Sequence, residues 1–357
     1  MYKSLQACRA GAALLVTLFH LSAQYALPKY FGYSLPGKIW GFGGAGVEFF
    51  FVLSGFIIVT AHRNDLFKPD RFAAYARKRI IRIYPTYWIV FGVVSVSLAA
   101  SSTLRATLPD AATLARSLLL LPQDQSVVGG TGAPVVIVAW SLQWEIAFYA
   151  LMGCFILGRI YAAAAVLLLA LAWGTCLNQT CTFPAAFFAQ HYVALFALGA
   201  LTALVNRALT GLRFPMGVAV LGMIAFVSIG AATDLGIVAR AAGSSLGYGL
   251  ASCAIILGLV KAEDRGAIFG ANRGVQVLGD ASYALYLLHF PMISVLSKVA
   301  VKAGLTGVVG ATAAYFAILA ACIATAVLFH LKIEKPLLRI LSKRPRLAVD
   351  VALTQQR

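Results

Sequence analysis

Ten stretches of this sequence are apolar over lengths near the roughly 20 residues a helix needs to cross the hydrocarbon core of a bilayer. They run over 8–27, 42–61, 83–101, 134–157, 160–175, 189–205, 214–232, 237–260, 280–297 and 307–331. The runs are continuous, whereas strands of an outer-membrane barrel alternate apolar and polar residues. With 61% hydrophobic and 11% charged residues, the chain lacks the polar surface of a soluble globule, where about 25% charge is usual. It is also too apolar to be disordered. The expectation is an all-α, polytopic integral membrane protein with about ten transmembrane helices. It reads as one domain over 1–340 with a basic cytoplasmic tail over 341–357. Pro28, Lys29 and Tyr30 follow the first apolar run in place of a small-residue cleavage site, so that run is expected to stay as the first span.

Charge supplies the orientation. The chain has 29 Lys+Arg against 12 Asp+Glu, a formal net charge of +17. In a soluble domain that excess would point to nucleic acid; in a chain this apolar it points to basic cytoplasmic loops, and no nucleic-acid partner is expected. With a cytoplasmic N-terminus and ten alternating spans, 22 of the 29 basic residues fall on one side. That bias puts both termini in the cytoplasm. Between the third and fourth spans, 112–122 reads as a short helix along the extracytoplasmic interface, with a leucine-rich face and Arg116 opposite. The six Cys show no metal-ligand spacing, and neither a metal nor a bound cofactor is expected. Cys8, Cys154, Cys253 and Cys322 read as small buried hydrophobes. Cys176 and Cys181 flank a polar turn, where a disulfide suits an extracytoplasmic location; the sequence leaves their state open.

Ionisable groups inside spans are costly, and each is a functional candidate. His20 lies in the first span, Glu48 opens the second, Glu145 is inside the fourth and His289 inside the ninth. Arg9 and His20 are eleven residues apart, which puts them within about 20° of one helix face and about 16 Å apart along the axis. That geometry suits a long ligand gripped at an anionic end by Arg9 with its reactive end at His20. The alternative is an Arg9 that snorkels to headgroups and a His20 satisfied in the core. Arg79 and Arg82 are i,i+3 neighbours on one helical face and suit phosphate oxygens, although juxtamembrane basic clusters also serve topology and anionic lipid. Ser141, Glu145 and Tyr149 stack at i, i+4 and i+8 beside Trp140 and Trp144. A carboxylate there expects a proton or cation partner, or serves as an intramembrane hydrogen-bond node.

Taken together, these segments resemble the membrane-bound acyltransferase family 3, the O-acyltransferases of bacterial surface glycans, in the form without a C-terminal SGNH-type hydrolase domain. Arg9 through His20 is similar to the family's opening Arg-x10-His signature. The run Gly44-Ala45-Gly46-Val47-Glu48 matches its second-span motif, and Arg79-Ile80-Ile81-Arg82 its Arg-x-x-Arg loop. Trp140-Ser141-Leu142 with Glu145 resembles the fourth-span motif, and the segments around His289 and Glu334 resemble late ones. Cys8 stands where the family commonly has Leu.

The resemblance implies transfer of an acyl group, often acetyl, from cytoplasmic acyl-CoA to a hydroxyl of a surface polysaccharide, glycolipid or related acceptor across the bacterial inner membrane. Arg9, Arg79 and Arg82 would take the CoA phosphates. His20 would act as general base, and Glu145, or in second place Glu48, would orient His20 as a triad carboxylate does. Trp140, Trp144 and Tyr149 would line the acceptor side. His289 reads as a polar node of its span in preference to a second site residue. The rival reading is a transporter or flippase of a glycan or lipid-linked intermediate without covalent chemistry, although no internal repeat supports inverted halves. Oligomeric state is not legible.

Overall fold

A computed structural model describes residues 2–101, 107–177 and 181–342. Most of the proposed tail, from 343 on, lies outside the described residues. The described chain is helical throughout, and nine of its helical segments are long and apolar enough to cross a membrane. In lipid the backbone must satisfy its own hydrogen bonds, and a helix does so segment by segment.

The spans follow the apolar runs, with displaced ends. Helix α1 (Lys3–Ala26) is followed by a short α2 (Leu35–Trp40), a 3-10 turn over Gly41–Ala45, and α3 (Gly46–His62). Helix α4 (Phe72–Ala100) is 29 residues long, about 43 Å, so it projects well beyond the apolar core. Its first turns carry Arg77, Lys78, Arg79 and Arg82. The Arg-x-x-Arg segment is therefore helical rather than a loop. The short helix α5 (Ala111–Leu118) and a single turn α6 (Gln125–Val128) precede α7 (Trp140–Leu157) and α8 (Arg159–Leu177). After a one-turn α9 (Ala185–Phe188) come α10 (Tyr192–Ala208), α11 (Pro215–Asp234) and α12 (Ala242–Glu263). The chain closes with α13 (Arg273–Asp280), α14 (Ser282–Lys302), α15 (Val308–Phe329), a π turn over His330–Glu334, and α16 (Lys335–Ser342). The fifth span, the shortest apolar run, is a full 19-residue helix. The sixth is 17 residues long and is the tenth candidate beside the nine.

Helix α1 is central and packs on α3, α12, α13, α14 and α15. A carboxylate secures its start: the Lys3 and Ser4 amides each donate to Glu263 at 2.8 Å, filling two of the donors that a helix N-terminus leaves open. Helices α3 and α10 approach most closely through glycines. A Cβ at Gly55 would collide with the Phe196 carbonyl, and one at Gly199 with the Val52 carbonyl. Small residues allow such backbone approach where lipid supplies no hydrophobic drive.

The short helix expected along the interface ends at Leu118, four residues before the expected Pro122, and docks on α4. Asp110 caps its start, accepting from the Ala112 and Thr113 amides. At its other end Tyr87, Tyr84 and Trp88 donate to the carbonyls of Ser117, Leu119 and Leu118 at 2.6, 2.8 and 3.0 Å. These are carbonyls the helix cannot satisfy itself. The loop that follows is thereby directed over the bundle, toward α7 and α10. Cys176 and Cys181 are joined by a disulfide, which settles the question their spacing left open.

Candidate active site

Two cavities lie along one face of α1. The first, of about 410 Å3, is lined by Arg9 from the start of α1, Arg79 and Arg82 from α4, Ser141, Glu145 and Tyr149 from α7, and Tyr283 and Tyr286 from α14. The second, of about 340 Å3, is lined by His20, by Trp140, Gln143 and Trp144 of α7, by Tyr192 of α10, and by Gln123, Gln125 and Thr131 of the loop between α5 and α7. Val47 and Tyr286 line both. The Arg9–His20 spacing thus spans two compartments with a shared wall.

The three arginines meet in the first cavity as their positions on α1 and α4 suggested, and each is held by aromatic or polar neighbours. Arg9 donates to Ser282 Oγ at 3.1 Å. Arg79 lies over the rings of Tyr75 and Tyr149, 5.7 and 5.3 Å from their centroids, and donates to His62 Nε2 at 2.6 Å. His62 in turn donates through Nδ1 to Asp65 at 2.9 Å. Another Arg79 donor, Nε, is buried without a partner among the described residues. Arg82 covers the Tyr283 ring and lies 3.5 Å from Glu334 Oε1. Glu334 is completely buried at the π turn and accepts from His330 Nδ1 at 2.8 Å. Planar guanidinium groups suit such stacked, fixed positions better than lysines would.

Glu145 belongs to this cavity, where it accepts a short hydrogen bond from the Tyr149 hydroxyl. Both Glu145 and Glu334 are close enough to Arg9 to interact with it electrostatically. The expected contact between Glu145 and His20 is absent among the described residues, because the two groups face different cavities. Glu48 is no substitute. It accepts from Ser245 of α12 at 3.2 Å and lines neither cavity. Tyr149, expected on the acceptor side with Trp140 and Trp144, instead lines the arginine cavity together with Ser141. Trp140 and Trp144 do line the His20 cavity.

The partner of His20 is His289, whose expected role was merely structural. His289 is fully buried on α14, and its Nε2 lies 3.1 Å from His20 Nδ1. Proton placement follows from the surroundings. His289 Nδ1 is 3.0 Å from the Leu285 carbonyl, and His20 Nδ1 is 3.0 Å from the Val16 carbonyl. A carbonyl only accepts, so both Nδ1 atoms carry hydrogen in the neutral rings. His289 Nε2 is then an acceptor for His20 Nδ1, and His20 Nε2 is left as a lone pair with no partner among the described residues. An imidazole oriented through one nitrogen and open at the other has the form of a general base. Among the described residues no group of three or more His, Cys, Asp or Glu is gathered as metal ligands.

The sequence matches the acyltransferase domain family over residues 2–331. It is 30% identical over 308 residues to the exopolysaccharide production protein ExoZ of Rhizobium meliloti (strain 1021), covering 83% of this chain and 90% of that protein. It is 27% identical over 381 residues to the acyltransferase MdmB of Streptomyces mycarofaciens, covering 96% of this chain and 92% of that protein. No solved structure matches.

Proposed function

Because this chain belongs to the acyltransferase family, we propose that it moves an acyl group from cytoplasmic acyl-CoA to a hydroxyl of a surface polysaccharide, glycolipid or related acceptor. The protein is a multi-pass membrane acyltransferase; donor, acceptor and the bacterial cytoplasmic membrane as its site are the proposal. The name of the Rhizobium relative, an exopolysaccharide production protein, favours a glycan acceptor.

The carrying observation is the pair of cavities that share Val47 and Tyr286. The first gathers three guanidiniums near the N-terminal end of α1, suited to the phosphates of CoA. The second exposes the lone pair of His20, eleven residues and about 16 Å deeper along α1 than Arg9. A thioester extended past Tyr286 would meet an acceptor hydroxyl at His20. The hydroxyl proton passes to His20 Nε2 as the oxygen attacks the thioester carbonyl. The C–S bond then breaks, and the departing CoA thiolate takes the proton from His20, leaving an ester and free thiol. While His20 is doubly protonated, its Nδ1–H remains bonded to Val16 O and His289 Nε2, so no group must reorganise to stabilise it.

The test is purified protein in nanodiscs with labelled acetyl-CoA, as the first donor, and a glycan acceptor. Acceptor labelling that is lost in His20→Ala is expected. Movement of acceptor across the membrane with no label transferred would overturn the reading.

A further inference from the structure

The lining of the second cavity is selective in a way the acyltransferase reading does not require. Four glutamines line it, Gln123, Gln125, Gln143 and Gln190, and in the first three one amide N–H is already engaged. Gln143 Nε2 donates to the Gly132 carbonyl at 2.9 Å, and Gln125 Nε2 to the Thr131 carbonyl at 3.2 Å. Since a carbonyl only accepts, the nitrogen of each amide must be the end that faces it. Their Oε1 atoms are left without a donor among the described residues. Gln123 is 4% exposed, its Nε2 donates to Ser117 Oγ at 2.9 Å, and its Oε1 is buried with no partner at all. With His20 Nε2, these three glutamines give four lone-pair sites without a donor among the described residues.

Of these acceptors Gln123 Oε1 is fully buried, and buried acceptors without partners are uncommon and costly; the others open to the cavity, where a ligand that supplies donors fits. No Asp, Glu, Lys or Arg lines this cavity among the described residues. The glutamines are fixed by backbone: Gly132 sits at φ +80°, a conformation that favours glycine, and its carbonyl holds Gln143. Resting on the reading above, which makes this the acceptor cavity, we propose that it selects an uncharged, hydroxyl-rich saccharide unit and rejects its carboxylated or phosphorylated counterpart. Hydroxyl groups donate to amide oxygens. A carboxylate or phosphate would bring further lone pairs against Gln123, Gln125 and Gln143 with no cation to compensate, and such a charge is expensive to desolvate unpaired. The rings of Trp140 and Tyr192, 5.2 Å apart at their centroids, supply apolar surface for the C–H faces of a sugar.

The experiment uses the full chain in nanodiscs and equilibrium dialysis with labelled methyl glycosides of glucose, galactose and mannose, each competed by its own uronate. At least one neutral glycoside is expected to bind saturably, with its uronate at least tenfold weaker. Gln125→Lys, at an exposed position, and Gln143→Lys are expected to close or reverse that gap. Absence of binding by every neutral glycoside, uronates that compete equally well, or a gap unmoved by either lysine would overturn the proposal. Acyl transfer is followed in parallel. Selective sugar binding without any transfer would refute the acyltransferase mechanism above while upholding the selectivity of this cavity.

Discussion

His289 Nε2 of α14 lies 3.1 Å from His20 Nδ1 of α1, and each ring is anchored by the carbonyl four residues earlier on its own helix. The pair therefore has a fixed sense. His289 accepts from His20, and the free lone pair of the pair is on His20. Where a triad uses a carboxylate to orient its imidazole, this site uses a second imidazole and a backbone carbonyl, both neutral and compatible with an apolar span.

Substitutions at the two histidines should separate a base from the group that aims it. His20→Ala removes the proton acceptor and is expected to lower kcat by about 10²–10⁴-fold, the range of general-base contributions. His289→Ala leaves the base but frees its ring, and a loss of about tenfold or more in kcat is expected, with KM for acyl-CoA unchanged. His289→Asn, which keeps an oxygen acceptor on α14, should recover part of that loss. Steady-state kinetics in nanodiscs read all three. A His289→Ala enzyme with wild-type kcat would remove His289 from the site.

The arginines should act on donor binding. A hydrogen bond to a charged group is worth about 1.5–3 kcal/mol, so Arg9→Ala, Arg79→Ala and Arg82→Ala are each expected to raise KM for acyl-CoA by about 10–100-fold. Arg79→Lys should recover little, since an ammonium cannot reproduce the planar fork stacked between Tyr75 and Tyr149. A CoA analogue lacking one phosphate should lose affinity in the wild type and lose less in whichever arginine variant no longer meets that phosphate. Unchanged KM in all three variants would place the donor elsewhere.

Much of this arrangement was legible in sequence where helix geometry alone decided it. The eleven-residue spacing of Arg9 and His20 fixed a common face, and the i,i+4 spacing of Glu145 and Tyr149 gave the hydrogen bond found between them. Pairing across helices was not legible. His20 and His289 are 269 residues apart, and hydropathy gives the depth of a residue but not the direction its side chain faces. Depth alone suggested Glu145 as the partner of His20, and direction separated them. The glutamines of the second cavity went unnoticed because neutral amides in a loop carry no signal until their hydrogen bonds are known. The His62–Asp65 pair is an i,i+3 contact, but spacing alone does not say that it meets Arg79 from across the helices.

That pair makes a separate claim. Asp65 and His62 form a string that ends at Arg79, so they act as positioning residues for the guanidinium. Asp65 is partly exposed, at 31%, and screened pairs of this kind are worth about 1 kcal/mol or less. Asp65→Asn is therefore expected to raise KM for acyl-CoA by no more than about fivefold, with kcat preserved. His62→Ala should do more, and His62→Gln, whose amide can accept from Arg79 and donate to Asp65, should restore most of the affinity. A merely structural role would show as lost thermal stability in His62→Ala without a KM effect.

Glu334 offers the sharpest test of stability. It is completely buried where α15 passes through the π turn, with Arg82 and His330 on its two oxygens. Glu334 is buried but Arg82 is 34% exposed, so removing the carboxylate leaves a charge that water reaches, at a cost below the roughly 3–5 kcal/mol of a fully buried pair. Glu334→Leu is accordingly expected to lower the unfolding temperature in detergent by several degrees. Glu334→Gln, which can still accept from His330, should lower it less. Replacing both partners with apolar residues, Arg82→Met with Glu334→Leu, should recover part of the loss because no orphaned charge remains. The double-mutant cycle isolates the pair. An additive cycle would mean that Arg82 and Glu334 do not stabilise one another, and that Arg82 is free to serve the donor cavity alone.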